Sequence, residues 1–240
     1  MAGSQTVLLL DGLDVSMEAI TERLRALRLQ AIRAKTADEA FSLAEGQAIG
    51  AVILPSDLPG PDAHGVVAAL RACATGQRLA FLAAGPAPRA ESRRQFRDAG
   101  VALALFDPID DARLRFQLNR ALASADGQRP RGAVRVPCSA PARARTGNRE
   151  KPGRLYTLSE RGLFFETPRA SMRGAPVEFE IQLEAEMVRA DGEVAVSNVP
   201  GNLNNSRLPV GIGVRFTEIS QRSAEVIRAA IAGITPALEV

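Results

Sequence analysis

The sequence predicts a doubly wound α/β domain followed by a small antiparallel β-barrel with a closing helix. In the first half, five short apolar runs alternate with five segments of helical period, which is typical of a parallel sheet with helices on both faces. Right-handed crossovers make that sheet doubly wound. Beyond a polar break at 124–130 (SADGQRP), apolar and polar residues alternate, which indicates antiparallel strands with one solvated face.

The first-half strands are predicted from apolar runs bounded by turn residues. These runs are 6–10, 30–34, 51–54, 79–83 and 101–106. The helical segments between and after them are 17–29, 36–45, 66–72, 89–99 and 110–123. Thr36 precedes two acidic residues and is the expected N-cap of the second helix.

The second half contains six short segments with strand character. They are 155–158, 162–166, 177–183, 186–189, 193–196 and 210–216. Asp191-Gly192 predicts a hairpin turn, and 220–232 predicts a closing amphipathic helix capped by Ser220. We therefore expect one domain at 1–124, a linker at 125–130 and a second domain at 131–236.

Composition excludes several classes of site. The 240 residues include two cysteines and one histidine, too few for a disulfide framework, a zinc ribbon or a site with two histidines. No apolar run approaches the roughly 20 residues of a membrane helix, and the first residues lack the basic start of a signal peptide. These features predict a cytoplasmic protein without membrane insertion.

The formal net charge of +3 is concentrated in one stretch. Residues 129–154 carry eight basic side chains and one acidic one, whereas the parts before and after are slightly acidic. Within this stretch, 141–154 is arginine-rich without interleaved aromatic residues. We interpret it as a solvated hairpin loop and not as a nucleic-acid-binding element.

Three motifs of the first half carry a family resemblance. VLLLDGLD (7–14), AVILPSDLPGPDAHG (51–65) and LALFDPID (103–110) resemble a response-regulator receiver domain. The resemblance implies an acid pair that binds Mg²⁺, an acceptor aspartate, a hydroxyl and a lysine, each after a different strand.

The chain departs from that receiver pattern at nearly every position. Asp11 stands at the first acid position, but Gly12 follows it. Pro55 takes the acceptor position, Ala83 the hydroxyl position and Asp107 the lysine position. We expect a pseudo-receiver kept for docking or dimerisation, with no metal site, whose fourth and fifth helices form the contact surface by analogy.

Three motifs of the second half carry another resemblance. Arg131 and Arg135 form RxxxR, Thr157, Ser159 and Gly162 form TxSxxG, and 211–216 reads GIGVRF. Together they resemble a PilZ domain, whose signature is RxxxR followed by (D/N)xSxxG. The resemblance implies that this domain binds cyclic di-GMP.

The residue types suit a ligand with two phosphodiester charges and two guanine faces. The guanidinium groups of Arg131 and Arg135 pair with phosphate and with the guanine edge, and stack on bases. Arg129 adds local positive charge. Ser159 offers a hydroxyl to phosphate, and Gly162 permits a turn that a side chain would block.

Thr157 is the one departure from the PilZ signature, which has Asp or Asn there. A carboxylate accepts two hydrogen bonds from guanine, whereas a threonine hydroxyl accepts one. Loss of a bidentate partner costs roughly 1–3 kcal/mol, so we expect micromolar binding.

The leading hypothesis is a non-enzymatic bacterial signalling protein without a cofactor. It would bind cyclic di-GMP and relay this to an unidentified protein partner through the pseudo-receiver, and a homodimer is compatible with either domain. The main alternative is a ligand-independent scaffold in which both domains are degenerate. A phosphorylation-dependent regulator, suggested by the receiver resemblance and Asp11 and with Asp57 as the acceptor in a slipped register, is a third hypothesis, and nucleic-acid binding ranks last.

Overall fold

The computed structural model describes residues 6–27, 29–58, 60–74, 78–125, 133–200 and 207–240. The chain divides into two compact units. The first comprises Met1–Pro130 together with Ala237–Val240, and the second comprises Arg131–Pro236. None of the helices in the described residues combines the length and the apolar character that crossing a bilayer requires.

The first unit contains a five-stranded, all-parallel sheet. Its strands are β1 Thr6–Leu10, β2 Gln30–Ala34, β3 Ile49–Pro55, β4 Ala80–Gly85 and β5 Leu103–Phe106. Its helices are α1 Glu18–Ala26, α2 Ala37–Gly46, α3 Gly60–Cys73, α4 Ala90–Asp98 and α5 Asp111–Ala125. The strand order β2-β1-β3-β4-β5 is that of flavodoxin-like folds, which include receivers, so the predicted α/β architecture is confirmed.

The apolar strands supply two cores, one on each face of the sheet. Alternate residues of β1 show this: Leu8 and Leu10 pack in the core that contains side chains of α2, α3 and α4. Val7 and Leu9 pack in the core that contains side chains of α1 and α5. Because both faces are covered, the strands are continuous apolar runs and do not alternate with polar residues.

The second unit is a closed antiparallel barrel. Its strands are β6 Val136–Pro137, β7 Pro141–Thr146, β8 Arg149–Ser159, β9 Gly162–Glu166, β10 Pro176–Leu183, β11 Glu186–Asn198 and β12 Gly211–Ile219. Six of them close in the order β8-β7-β10-β11-β12-β9 and back to β8, and β6 adds to β8. The predicted barrel is therefore confirmed.

A helix follows the barrel, as predicted. This helix, α6 (Gln221–Ile234), begins after Ser220, whose side chain accepts a hydrogen bond from the Ser223 amide. It lies against β6, β8, β10 and β11, and Ile227 and Ile231 are buried. A short 3-10 helix, Thr235–Leu238, comes after it.

Two local predictions in the second half were wrong. Asp191-Gly192 is not a hairpin turn, because β11 continues through it; a Cβ on Gly192 would lie 2.7 Å from the Arg215 carbonyl oxygen. The glycine therefore serves a close approach of two strands. The stretch 141–154 is not a loop but β7 and the first part of β8, joined by a turn at Gly147, whose φ is +56°.

Candidate ligand-binding site

The β8–β9 turn is the best-defined part of the candidate site. Ser159 and Gly162 are cross-strand partners at the end of this hairpin, and Ser159 Oγ donates to the Gly162 carbonyl oxygen at 2.8 Å. A Cβ on Gly162 would lie 2.1 Å from the carbonyl oxygen of Val214 on β12. The motif glycine is thus required by the approach of a neighbouring strand, and the serine closes the turn.

Strand pairing brings the second arginine of RxxxR to this turn. In β6, Val136 pairs with Leu158 and Pro137 with Thr157. Continuing this register by one residue places the half-buried Arg135 opposite Ser159. Arg129 and Arg131 lie outside the described residues. The structure therefore unites Arg135, Thr157, Ser159 and Gly162.

Thr157 and Ser159 are both more buried than side chains that are expected to contact a ligand directly. Ser159 is 1% exposed and Thr157 is 5% exposed. Thr157 lies between Pro137 on one side and Phe164 on the other. In this conformation Ser159 positions the turn backbone instead of presenting its hydroxyl at the surface, a difference that follows from its bond to Gly162.

A surface groove of about 300 Å³ runs beside the turn. It is lined by Glu160, Arg161, Arg215, Phe216, Thr217, Glu218 and Ile219. Arg161 is exposed, and Arg215 lies 3.5 Å from Glu193 in an exposed ion pair. Arg161 occupies an unspecified position of TxSxxG and Arg215 lies within GIGVRF, but the sequence analysis selected neither; the signal available was their adjacency to Gly162 and Val214.

Two arginines of the basic stretch 129–154 are paired with acidic side chains on the barrel wall. Arg143 lies 3.3 Å from Glu150, and Arg145 pairs with Glu178 across β7 and β10. Lys151 Nζ donates to Ser171 Oγ at 2.7 Å, and its pKa is lowered by burial and by the neighbouring Arg149. These cations belong to the ladder of the barrel wall, whereas Arg135 and Arg161 lie at the turn itself.

In the first unit, Asp11, which stands at the first acid position of the receiver pattern, is paired with Arg33. Arg33 Nε contacts both carboxylate oxygens of Asp11 at 2.9 Å, and the Met17 amide donates to Oδ1 at 2.9 Å. Burial opposes ionisation of Asp11, but these hydrogen bonds and the charge of Arg33 outweigh it and lower the pKa.

The neighbouring carboxylate, Asp57, ties down the loop after β1. Its Oδ2 accepts hydrogen bonds from the amides of Asp14 at 2.6 Å and Val15 at 3.1 Å. A Cβ on Gly12 would lie 2.0 Å from Asp57 Oδ1. With Asp57 in this place, the second acid of a receiver pair has no room.

These residues do not fit the magnesium ion that a receiver implies. The guanidinium of Arg33 already neutralises Asp11, and the acceptor position is Pro55, which has no carboxylate. Within the described residues, no group of three or more histidine, cysteine or acidic side chains is placed to hold a metal ion.

Comparison with known proteins agrees with these features. Residues 129–233 match the family model for the PilZ domain. No curated protein matches the chain. The chain is similar to the Bacillus subtilis inhibitor of motility MotI/DgrA at 15% identity and a TM-score of 0.37, covering 45% of this chain and 53% of that one. It thus spans about half the length of that protein.

Two further solved structures are similar to separate parts of the chain. One is the receiver domain of sensor histidine kinase PA1611 from Pseudomonas aeruginosa PAO1, with a magnesium ion in its active site cleft: 26% identity, TM-score 0.43, 51% of this chain and 99% of that one. The other is the PilZ domain of CeSA from a cellulose-synthesizing bacterium: 17% identity, TM-score 0.32, 42% and 98%. Both predicted resemblances are confirmed: the chain carries a PilZ domain at residues 129–233, and its N-terminal part has the fold of a response-regulator receiver.

Proposed function

We propose that the PilZ domain binds cyclic di-GMP and that the receiver-like domain relays this to a partner protein in the cytoplasm. The observation that carries the proposal is the register of β6 on β8, which brings Arg135 to the Ser159–Gly162 turn. Guanidinium groups there pair with phosphodiester oxygens and with the guanine edge. The groove beside the turn adds Arg161 as an exposed cation.

Each candidate residue has a distinct part in this proposal. Arg131 and Arg135 clamp the ligand, with Arg129 adding charge. Ser159 acts as a positioning residue through its bond to Gly162. Thr157 replaces the bidentate acid or amide of the family signature, so the affinity falls in the micromolar range.

The relay is a shift between two populations. Ligand binding favours the arrangement in which the arginines of 129–135 contact the nucleotide. The size of the population shift is set by the difference between the ligand's affinities for the two arrangements. Because this stretch joins the two domains in sequence, its arrangement constrains the receiver-like domain. We propose that the chain binds and relays without catalysing a reaction or using a cofactor.

Calorimetric titration with cyclic di-GMP tests the binding proposal. We expect saturable heat for the wild type, and a loss of at least about 100-fold in affinity for R131A/R135A, which removes two charge-assisted contacts. The matched control is R143A/R145A, which removes the same charge from the same stretch but from residues paired with Glu150 and Glu178. Equal affinity for both double variants would sink the site assignment.

The ligand-independent scaffold is the second candidate, and the burial of Thr157 and Ser159 favours it. Titration distinguishes the two candidates. If roughly millimolar ligand produces no heat, the free energy of binding is weaker than about −4 kcal/mol. Protein contacts then remain as the function of both domains.

The receiver-like domain is proposed to accept no phosphoryl group. Pro55 at the acceptor position and the Arg33–Asp11 ion pair support this proposal. Incubation with a small-molecule phosphodonor should leave the intact mass unchanged. A gain of one phosphoryl group that D57N abolishes would establish the phosphorylated regulator instead.

A further inference from the structure

The receiver-like unit is completed by residues from far along the chain. Ala237–Val240 belong to this unit, although they follow the barrel and its helix. β5 is one of the two edge strands of the sheet. Leu103 of β5 forms an antiparallel bridge with Glu239, and the Val240 amide reaches the Ala102 carbonyl oxygen at 3.4 Å. Residues 237–240, here called the edge segment, thus run from the end of the 3-10 helix onto β5, where Glu239 forms a single bridge.

The buried side chain of Gln117 on α5 forms a hydrogen bond with the backbone of the edge segment. Gln117 is fully buried, and its Nε2 donates to Ala104 O of β5 at 2.8 Å and to Leu238 O at 2.6 Å. Its Oε1 is buried and has no partner in the part of the chain described. A buried acceptor without a hydrogen bond is costly. The hydrogen-bonding capacity of Gln117 is therefore not fully used when the edge segment is in place.

Buried and exposed side chains alternate along the edge segment. Leu238 and Val240 are buried, at 1% and 4% exposure. Glu239 between them is exposed and lies 3.3 Å from Arg120. Arg97 Nη1 holds the Val240 carbonyl oxygen at 2.6 Å. The surface therefore recognises an apolar–acidic–apolar segment that leaves a helical turn at its first apolar residue and bridges β5 at its acidic residue.

Edge strands with unpaired backbone groups accept strands from other chains unless they are covered. Backbone pairing between the edge segment and β5 is limited to one bridge and one hydrogen bond of 3.4 Å, so a segment that pairs along more of β5 can displace it. We propose that the edge of β5, with Gln117, Arg97 and Arg120, is a docking surface for an apolar–acidic–apolar segment of a partner protein. The edge segment is its internal competitor.

This inference deepens the proposed relay and rests on it, since it names the surface and the chemistry of the partner segment. Its test contains no cyclic di-GMP. Binding of the nucleotide can therefore fail while the docking surface stands, and the docking surface can fail while nucleotide binding stands.

Fluorescence polarisation with a labelled peptide of residues 235–240 (TPALEV) tests the proposal on the full chain. L238D should unseat the edge segment and bind the peptide at least about tenfold more tightly than the wild type, because a buried leucine is worth more than that factor. The control peptide TPADEV should bind neither protein. Equal affinity of TPALEV for both proteins, or no binding to either, overturns the proposal.

A milder variant keeps the test decisive if L238D does not fold. E239R reverses the exposed charge that faces Arg120, so it should raise peptide affinity over the wild type, and adding R120E should reverse the gain. Hydrogen exchange of residues 238–240 should rise in E239R and fall back in the double variant. An E239R protein that matches the wild type in both measurements overturns the proposal.

Discussion

Gly12 and Asp57 are packed so closely that a Cβ on Gly12 would lie 2.0 Å from Asp57 Oδ1 and 2.7 Å from the Asp57 Cγ. The missing side chain at residue 12 is the space that the Asp57 carboxylate fills. From there Asp57 accepts hydrogen bonds from two amides of the loop after β1. The receiver pattern is broken by Gly12 in place of an acid and by Asp57, which lies two residues after the acceptor position. These two departures depend on each other, because the Asp57 carboxylate fills the space beside Gly12.

Adding a methyl group at residue 12 should destabilise the receiver-like domain through this contact. Overpacking of a well-packed site costs roughly 1–3 kcal/mol, so G12A should lower the free energy of unfolding by that amount in a denaturant titration. D57A removes the obstructing carboxylate but leaves Pro55 Cβ 2.7 Å from the added Cβ, so the double variant should lose less than the sum of the two single losses.

Gly65 offers the matched control for this substitution. It lies in α3, and a Cβ there meets nothing within 4 Å. G65A should therefore stabilise the protein by roughly 0.5–1 kcal/mol, the usual gain for alanine over glycine in a helix. A G12A protein as stable as G65A would show that the Gly12–Asp57 packing is wrong.

The Asp11–Arg33 ion pair should make stability depend on pH at the acidic end. The folded-state pKa of Asp11 is lowered, so its contribution is fully present above the ordinary aspartate value of about 3.9. That contribution is lost as the pH falls through the folded-state pKa. D11N should cost roughly 1–3 kcal/mol at pH 7, and the gap to the wild type should narrow below about pH 4.

A more exposed pair on the same domain serves as the control. The side chain of Asp111 in its pair with Arg23 is 70% exposed, against 13% for Asp11. D111N should therefore cost less than about 1 kcal/mol, as surface ion pairs do. A gap between D11N and the wild type that stays constant from neutral pH to pH 3 would contradict the assignment.

The size of the buried side chains explains why the sequence predicted β1 but missed β7. β1 was predicted to the residue because Val7, Leu8 and Leu9 fill both cores. β7 was missed because its inward residues are Ala142 and Ala144, between exposed arginines. Two alanines give an alternating pattern too little hydrophobic contrast to be distinguished from a polar loop.

Contacts between distant residues account for the remaining differences. The local sequence at Asp191-Gly192 is the same for a turn and for a strand, and the choice depends on Arg215, which approaches Gly192 from β12. The burial of Ser159 and the seating of Leu238 beside Gln117 likewise depend on residues remote in sequence. Motif spacing placed the candidate site on the β8–β9 turn, but it did not reveal which side chains face solvent.

The two glycines of the candidate barrel motifs should respond differently to substitution. A Cβ on Gly162 meets the backbone oxygen of Val214 at 2.1 Å, whereas one on Gly213 meets nothing nearer than 3.5 Å. G162A should therefore destabilise the barrel by roughly 1–3 kcal/mol or more, and G213A by clearly less. Thermal unfolding of the two variants measures the difference, and equal melting temperatures would contradict the close β9–β12 approach.

Arg161 should contribute to ligand affinity although it lies outside the RxxxR motif. It is exposed, lies next to Gly162 and lines the groove beside the turn, so in the proposed site its guanidinium would meet a phosphodiester. R161A should weaken cyclic di-GMP binding about tenfold in calorimetry, the typical value of one charge-assisted contact. R145A, whose guanidinium pairs with Glu178 on the barrel wall, should leave the affinity within about twofold, since surface charges far from a ligand are screened by salt. If R145A and R161A weaken binding equally, only net charge matters, and the groove beside the turn is not where the nucleotide lies.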